Sequence, residues 1–391
     1  MNVLYLINYA GSGGTEAYVE GLISRLHPQT ARCTLCYHIA GPLSERLRAR
    51  GVETVRLPMR HPFDRRAAKA LAACCREKEI SLVHAQYPRE AMIALRAQAF
   101  GSPAQVIYTA HLSRRQPLWW RVLNRIYLPR AAAVIALRPE QKPLLVRNGV
   151  PADRLCVIPN GVDYGAALPR APHDGPKVLL TAARLSPEKG LRFLCEAAAA
   201  LREKTDVPFR VRILGEGPQR EKLERVIAKK HLAGLVELAG YCPDVPAALA
   251  QADVYVSPSR TETMSLAVLE AMAAGLPVAA TEASAALVAD CGLTAPYGDV
   301  SAFSDVLKRL LEDDTLRETL GNRAARRRFD RNDTCRRTAE LYQRSLKHGT
   351  EETLPISGHG TIRDIDAGQG VRIPSDSSLD NAYVLKNNDY L

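Results

Sequence analysis

Pro258-Ser-Arg-Thr-Glu-Thr-Met-Ser-Leu-Ala-Val-Leu-Glu-Ala-Met-Ala-Ala-Gly-Leu-Pro277 sets two carboxylates, Glu262 and Glu270, on either side of a helix start. Pro258, Ser259 and Thr261 read as loop, and residues 265–274 read as a helix stopped by Gly275 and Pro277. Eight residues of helical rise span at most about 12 Å, the length of a sugar–diphosphate–ribose unit. The backbone N–H groups of Thr263, Met264, Ser265 and Leu266 then form a helix N-terminus, where a diphosphate is favoured. One acid is left to hold sugar hydroxyls and the other ribose hydroxyls.

Outward from that run, short apolar stretches alternate with helix-length ones. Candidate strands cover residues 3–7, 32–37, 82–84, 106–109, 134–136 and 157–158 in the first half. In the second half they cover 178–181, 211–214, 236–239, 254–256 and 277–280. Residues 15–26, 65–79, 191–202 and 219–230 are helical between them. Strand–helix alternation predicts parallel sheets with crossover helices, here twice over. The expected architecture is α/β: two Rossmann-like, doubly wound domains at 1–165 and 166–347 facing a central cleft. Ligands of such sheets bind at the carboxyl ends of the strands. A hinge rich in Pro, Gly and Ala is expected at 164–177, and 315–347 reads as long helical material. Residues 348–391 are polar, with little apolar period, and read as a mobile tail.

The opening motif resembles the Glu-x7-Glu signature of retaining GT-B glycosyltransferases, specifically glycosyltransferase family four. There the stretch usually reads Pro-Ser-x-x-Glu-x-Phe-Gly-x-x-x-x-Glu-Ala-Met-Ala-x-Gly-x-Pro-Val. Met264 stands for the usual Phe and Ser265 for the usual Gly, both mild departures. The resemblance spans about residues 1–347, is strongest over 178–280 and is thin in the first domain. It implies a GT-B fold, with the last helix crossing back onto the first domain.

Leu180-Thr-Ala-Ala-Arg-Leu-Ser-Pro-Glu-Lys-Gly190 puts Arg184 past a strand end and Lys189 at the next helix start. Two cations beside a helix N-terminus suit a diphosphate. The resemblance agrees, since Gly-Arg-Leu-x-x-x-Lys-Gly binds the donor diphosphate in that family. Leu214-Gly-Glu-Gly-Pro218 is a second strand-to-helix turn, whose Gly215 is expected near the nucleotide, with Tyr241 as a base-side contact. In the first domain Gly11-Ser-Gly-Gly-Thr-Glu16 is not Gly-x-Gly-x-x-Gly, and Tyr37 and His38 stand where a ribose-binding acid would follow the second strand. A nicotinamide dehydrogenase is therefore disfavoured. The resemblance makes Gly13 and Gly14 the loop that approaches the donor phosphates, and His111 a group near the reactive end of the donor sugar. Asn160-Gly161-Val-Asp163 reads as a turn near the hinge.

The gross numbers agree with these readings. At 391 residues, 46% apolar and 24% charged, the chain is a globular protein of two domains. It has no apolar run long enough to span a membrane and no signal-peptide pattern at its start. Nine cysteines without such a signal read as reduced thiols, and Cys33-x-x-Cys36 lies on a strand, where positions three apart face opposite sides. Residues 1–165 hold 23 basic and 11 acidic side chains, a net of +12 in a chain whose total is +11. That excess points to an anionic surface or acceptor. Both tryptophans lie in 113–130, where Trp119, Trp120, Leu123, Ile126 and Tyr127 share helical spacing among Arg114, Arg115, Arg121, Arg125 and Arg130. Aromatics with arginine suit a membrane interface. A second basic cluster covers 60–66, and nucleic acid is disfavoured because no binding motif accompanies the charge.

The expected activity is retaining transfer of a sugar from a nucleotide diphosphate donor, a UDP-sugar ahead of GDP-mannose, to a hydroxyl of a glycan or lipid-linked acceptor. Bacterial polysaccharide assembly is the expected setting. The catalytic candidates are Glu262, His111, Arg184 and Lys189. The donor-binding set adds Gly13, Gly14, Gly215, Thr263, Met264, Ser265, Leu266 and Glu270. Neither cofactor nor metal is expected. The expected location is the cytoplasm, with an anionic membrane surface as a further partner. Alternatives from other classes are a non-catalytic nucleotide-sugar-binding subunit and a GT-B epimerase.

Overall fold

The computed structural model describes residues 1–164 and 175–351. Most of the expected hinge and the tail beyond Glu351 lie outside the described residues. The first half builds β1 (Asn2–Tyr9), β2 (Arg32–Ile39), β3 (Glu53–Arg56), β4 (Leu82–Ala85), β5 (Gln105–Ala110), β6 (Ala133–Ala136) and β7 (Leu155–Val157). These form one sheet in the order β3-β2-β1-β4-β5-β6-β7. The second half builds β8 (Lys177–Ala182), β9 (Phe209–Leu214), β10 (Val236–Gly240), β11 (Val254–Ser257), β12 (Val278–Thr281) and β13 (Gly292–Ala295). Their order is β10-β9-β8-β11-β12-β13, and every strand pair in both sheets is parallel.

Parallel strands need crossover helices on both faces, so each strand is buried twice. β1 obeys this: Val3, Tyr5 and Ile7 join one apolar cluster, and Leu4 and Leu6 the other. The same alternation separates Cys33 from Cys36, which belong to opposite clusters as free, buried thiols. Burial pushes both thiols above their ordinary value, so neither is a ready thiolate. β3 and β13, which the apolar pattern misses, are short edge strands of mixed exposure.

Strand order reverses between β1 and β4 in one sheet and between β8 and β11 in the other. At such a switch point the flanking loops diverge and leave a crevice. The 315–347 stretch is not one helix. It divides into Asp314–Arg326 and Arg331–Glu351. Between them Asp330 forms a parallel bridge with Val162, while Tyr164 Oη donates to Arg327 O and accepts from Phe329 N–H, both at 2.7 Å. The chain passes from one sheet's helices to the other's here, and that passage breaks the helix. Beyond the break, Tyr342 is fully buried against the first sheet, its hydroxyl donating to Tyr5 Oη at 3.2 Å.

Candidate active site

At the β8/β11 switch point two loops are locked together. After β8 the chain makes a 3-10 turn, Pro187–Lys189, and enters the helix Leu191–Arg202 through Gly190, at φ +65°. A side chain at Gly190 would collide with the carbonyl of Pro258, so the approach of the two loops requires glycine twice over. Arg260 N–H donates to Glu188 O at 2.8 Å, tightening the same seam. After β11, Ser265 caps the helix Leu266–Ala273, its Oγ accepting from Val268 N–H at 3.4 Å, and Gly275 at φ +73° ends it. Across this seam Lys189 Nζ donates to Glu262 Oε2 at 2.7 Å. Glu262 Oε1 accepts from Thr263 N–H at 3.2 Å. Both charged side chains keep partial access to solvent, at 25% and 13%.

Arg184 lies in the same mouth and donates to Glu188 Oε1 at 3.0 Å. Burial alone would raise the Glu188 carboxyl, but the Ser186 hydroxyl at 2.6 Å, its own N–H and Arg184 outweigh it and hold it low. On the first domain, Glu16 feels the charge of the same guanidinium. Burial raises the Glu16 carboxyl, opposed by its own N–H, that of Gly13 and the charge of Arg184. The charge of Arg184 therefore reaches the first-domain loop that contains Gly13 and Gly14. Gly13 caps the helix Gly14–Leu26, and the space that a side chain at Gly14 would fill is open. Glu16 and Glu188 were not among the sequence candidates. Glu16 had a signal: it stands three residues after a cap, where an acid satisfies the helix start.

Gly215 at φ +133° brings the β9 turn against Ala183, where a side chain would strike the carbonyl. Glu216 O accepts from Leu185 N–H at 3.0 Å, so this turn is stitched to the Arg184 loop. Tyr241 is 56% exposed beyond β10. Glu270 lies in the helix Leu266–Ala273. Burial raises its carboxyl, Arg331 pulls it back and Asp163 adds to the rise. Asp163 pairs with Arg331 at 3.4 Å and with Arg25, so the charges acting on Glu270 come from the crossing between the two halves. Asn160 belongs to this crossing: its backbone N–H meets Met264 Sδ at 3.2 Å and its Nδ2 donates to Met264 O at 3.0 Å. The methionine in the usual Phe position thus receives the hinge asparagine.

His111 follows β5 on the first domain. Its Nε2 is 2.9 Å from Gln86 Oε1, and its ring stands edge-on to Tyr18 at 5.1 Å. Burial pushes its pKa down to about 3, so the ring is neutral at pH 7 and acts as a hydrogen-bonding dipole rather than a cation. The structure thus joins Lys189 to Glu262 directly, pairs Arg184 with the neighbouring Glu188, puts Glu270 in the field of Arg331 and Asp163 and keeps His111 on the opposite domain. Among the described residues no helix is long and apolar enough to cross a membrane.

The comparisons with known proteins match both halves. Residues 12–165 fit the model for Glycosyltransferase Family 4, and residues 176–313 fit that for Glycosyl transferases group 1. The chain is 38% identical over 148 residues to WcaL of Escherichia coli, provisionally named a colanic acid biosynthesis glycosyltransferase, covering 35% of this chain and 36% of that one. It is 32% identical over 218 residues to the amylovoran biosynthesis glycosyltransferase AmsK of Erwinia amylovora, covering 51% and 53% respectively. The chain thus spans about a third to a half of these relatives' length. The fold is shared with the Anabaena protein HepE in its complex with UDP-glucose. The TM-score is 0.77 at 20% identity, over 88% of this chain and 100% of that one.

Proposed function

From a chain that belongs, over residues 12–165 and 176–313, to the family 4 and group 1 glycosyltransferases, we infer an enzyme that transfers a sugar with retention from a nucleotide diphosphate donor to an acceptor hydroxyl. The observation that carries this reading is the 2.7 Å pair of Lys189 and Glu262 at a switch point, beside Arg184 and a helix N-terminus. Lys189, Arg184 and the N–H groups of Thr263, Met264, Ser265 and Leu266 take the charge of the leaving diphosphate. Glu262 accepts from hydroxyls of the donor sugar, Glu270 from the ribose hydroxyls, and the backbone of Gly13, Gly14 and Gly215 comes close to the donor. Neutral His111 donates or accepts one hydrogen bond near the reacting carbon.

In the reaction the bond from the anomeric carbon to the diphosphate oxygen breaks, and the acceptor oxygen bonds to the same face. The acceptor's proton leaves on the departing phosphate, so no protein group is consumed. Catalysis rests on positioning and on electrostatic stabilisation of the leaving group. UDP-sugars come ahead of GDP-mannose, in keeping with the UDP-glucose held by the HepE structure. The acceptor is a glycan or lipid-linked, in bacterial polysaccharide assembly as the names of WcaL and AmsK suggest, on the cytoplasmic side of a membrane. The test is nucleoside diphosphate release from a panel of UDP-sugars and GDP-mannose, with and without EDTA. Release from a UDP-sugar that survives EDTA is expected; loss of all release on adding EDTA would overturn metal independence.

A further inference from the structure

The helix Leu118–Tyr127 has two faces of different chemistry. Trp120 and Asn124 turn inward, 1% and 5% exposed. Asn124 Nδ2 donates to Asn148 O and to Gln116 Oε1, both at 2.7 Å, and Arg121 Nε donates to Arg147 O at 2.8 Å. The opposite face carries Leu118 at 67%, Trp119 at 48%, Val122 at 44% and Ile126 at 54% exposure. At 100° per residue these four fall within an arc of about 100°, a continuous apolar ridge. The expected aromatic face is corrected here: Trp120 belongs to the interior, while Leu118 and Val122 complete the exposed ridge.

Along the chain, the charge on either side of the ridge has one sign only. From His111 to Pro139 the sequence has no Asp or Glu, while Arg114, Arg115, Arg121, Arg125, Arg130 and Arg138 fall within it. Arg115 and Arg125 are exposed at its edges, and Arg130 lies 5.6 Å over the Tyr127 ring. Behind the ridge is a cavity of about 200 Å³ lined by Tyr108, Leu112, Arg114, Trp120 and Asn148. Leu112, which lines the cavity, is the residue after His111, so the cavity adjoins the His111 loop.

We propose that this ridge docks on an anionic lipid bilayer, with Leu118, Trp119, Val122 and Ile126 in the headgroup layer and the arginines on lipid phosphates. The lipid-linked acceptor then enters from that surface through the cavity beside His111. Apolar side chains ringed by arginine match an interface that is apolar below and anionic above. A second copy of the chain would bring arginine against arginine, and no nucleic-acid-binding motif accompanies the charge. The acceptor route rests on the transferase reading; the docking itself does not.

The experiment is co-sedimentation of the full chain with vesicles of phosphatidylcholine alone and with phosphatidylglycerol added, with UDP binding measured in parallel. Wild type is expected to sediment with the anionic vesicles only. Trp119→Glu/Ile126→Glu and Arg115→Glu/Arg125→Glu are each expected to weaken this about tenfold or more, leaving UDP binding unchanged. If the glutamate pair lowers Tm, Trp119→Ser/Ile126→Ser carries the same expectation. Absence of wild-type sedimentation, or equal sedimentation of the variants, overturns the docking and leaves UDP binding to speak for the transferase. Release from the vesicles by duplex DNA, with Trp119→Glu/Ile126→Glu binding DNA as wild type does, would assign the arginines to nucleic acid and also overturn it.

Discussion

The hydroxyl of Tyr342 lies 2.6 Å from Nδ1 of His84, whose other ring nitrogen lies 2.7 Å from Thr109 Oγ1. Both side chains are fully buried, and they bond the last helix into the first sheet. The His84 carbonyl also holds Gln86 Nε2 at 3.1 Å, and Gln86 holds His111, so the anchor extends to the candidate site. Tyr342→Phe leaves a buried nitrogen and the Tyr5 hydroxyl short of a partner. It is expected to cost about 1–3 kcal/mol in urea unfolding; a variant as stable as wild type would remove this anchor from the account.

Acid should weaken the fold through the same histidines. Burial pushes His84 and His111 down to about 3, while an unfolded histidine titrates near 6.5. The unfolded chain therefore binds their protons first, and their contribution, present above about 6.5, is lost as pH falls toward 3. Each histidine adds a slope approaching 1.4 kcal/mol per pH unit, by a rough one-site estimate. Glu16 and Glu270 work the other way, since their raised values favour the folded state at low pH and that gain is lost as pH rises. The clean observable is a difference: between pH 6 and 5, His111→Gln should show an acid slope shallower by about 1 kcal/mol per unit.

The two tryptophans should separate sharply. Trp120→Ala empties a packed interior position and is expected to cost about 3–5 kcal/mol. Trp119→Ala removes a side chain that is 48% exposed and should stay within about 1 kcal/mol. Equal losses in thermal unfolding would contradict the two-faced helix.

Gly190→Ala tests the seam under the site. Its φ of +65° strains any other residue by about 1–2 kcal/mol, and the methyl group would also press on Pro258 O. The expected outcome is a lower Tm together with weaker nucleotide binding, because the Lys189 and Glu262 loops part. Unchanged binding would mean that the seam does not shape the site.

Much of this was legible because a doubly wound sheet puts its loops at the carboxyl ends of its strands. Arg184, Gly215 and Glu262 could be read as neighbours from strand and motif alone, and Cys33 and Cys36 as opposed from the pleat. The edge strands Glu53–Arg56 and Gly292–Ala295 were not legible, since half-exposed edges carry no continuous apolar run. The break at Arg327 to Asp330 has neither Gly nor Pro; it exists because Val162 and Tyr164 bind the backbone there. Helical spacing grouped Trp119 with Trp120, but only the amide bonds of Asn124 to the Asn148 turn settle which face goes inward.

Calorimetric titration with UDP, GDP and ADP, without added metal, tests most directly whether Lys189, Glu262 and Glu270 frame a nucleotide diphosphate site. Selective UDP binding is expected. Lys189→Met should weaken it about tenfold or more, by loss of a charge-assisted bond, and Glu270→Ala by a similar factor. A folded protein that binds none of the three, or binds UDP equally well in both variants, would contradict it.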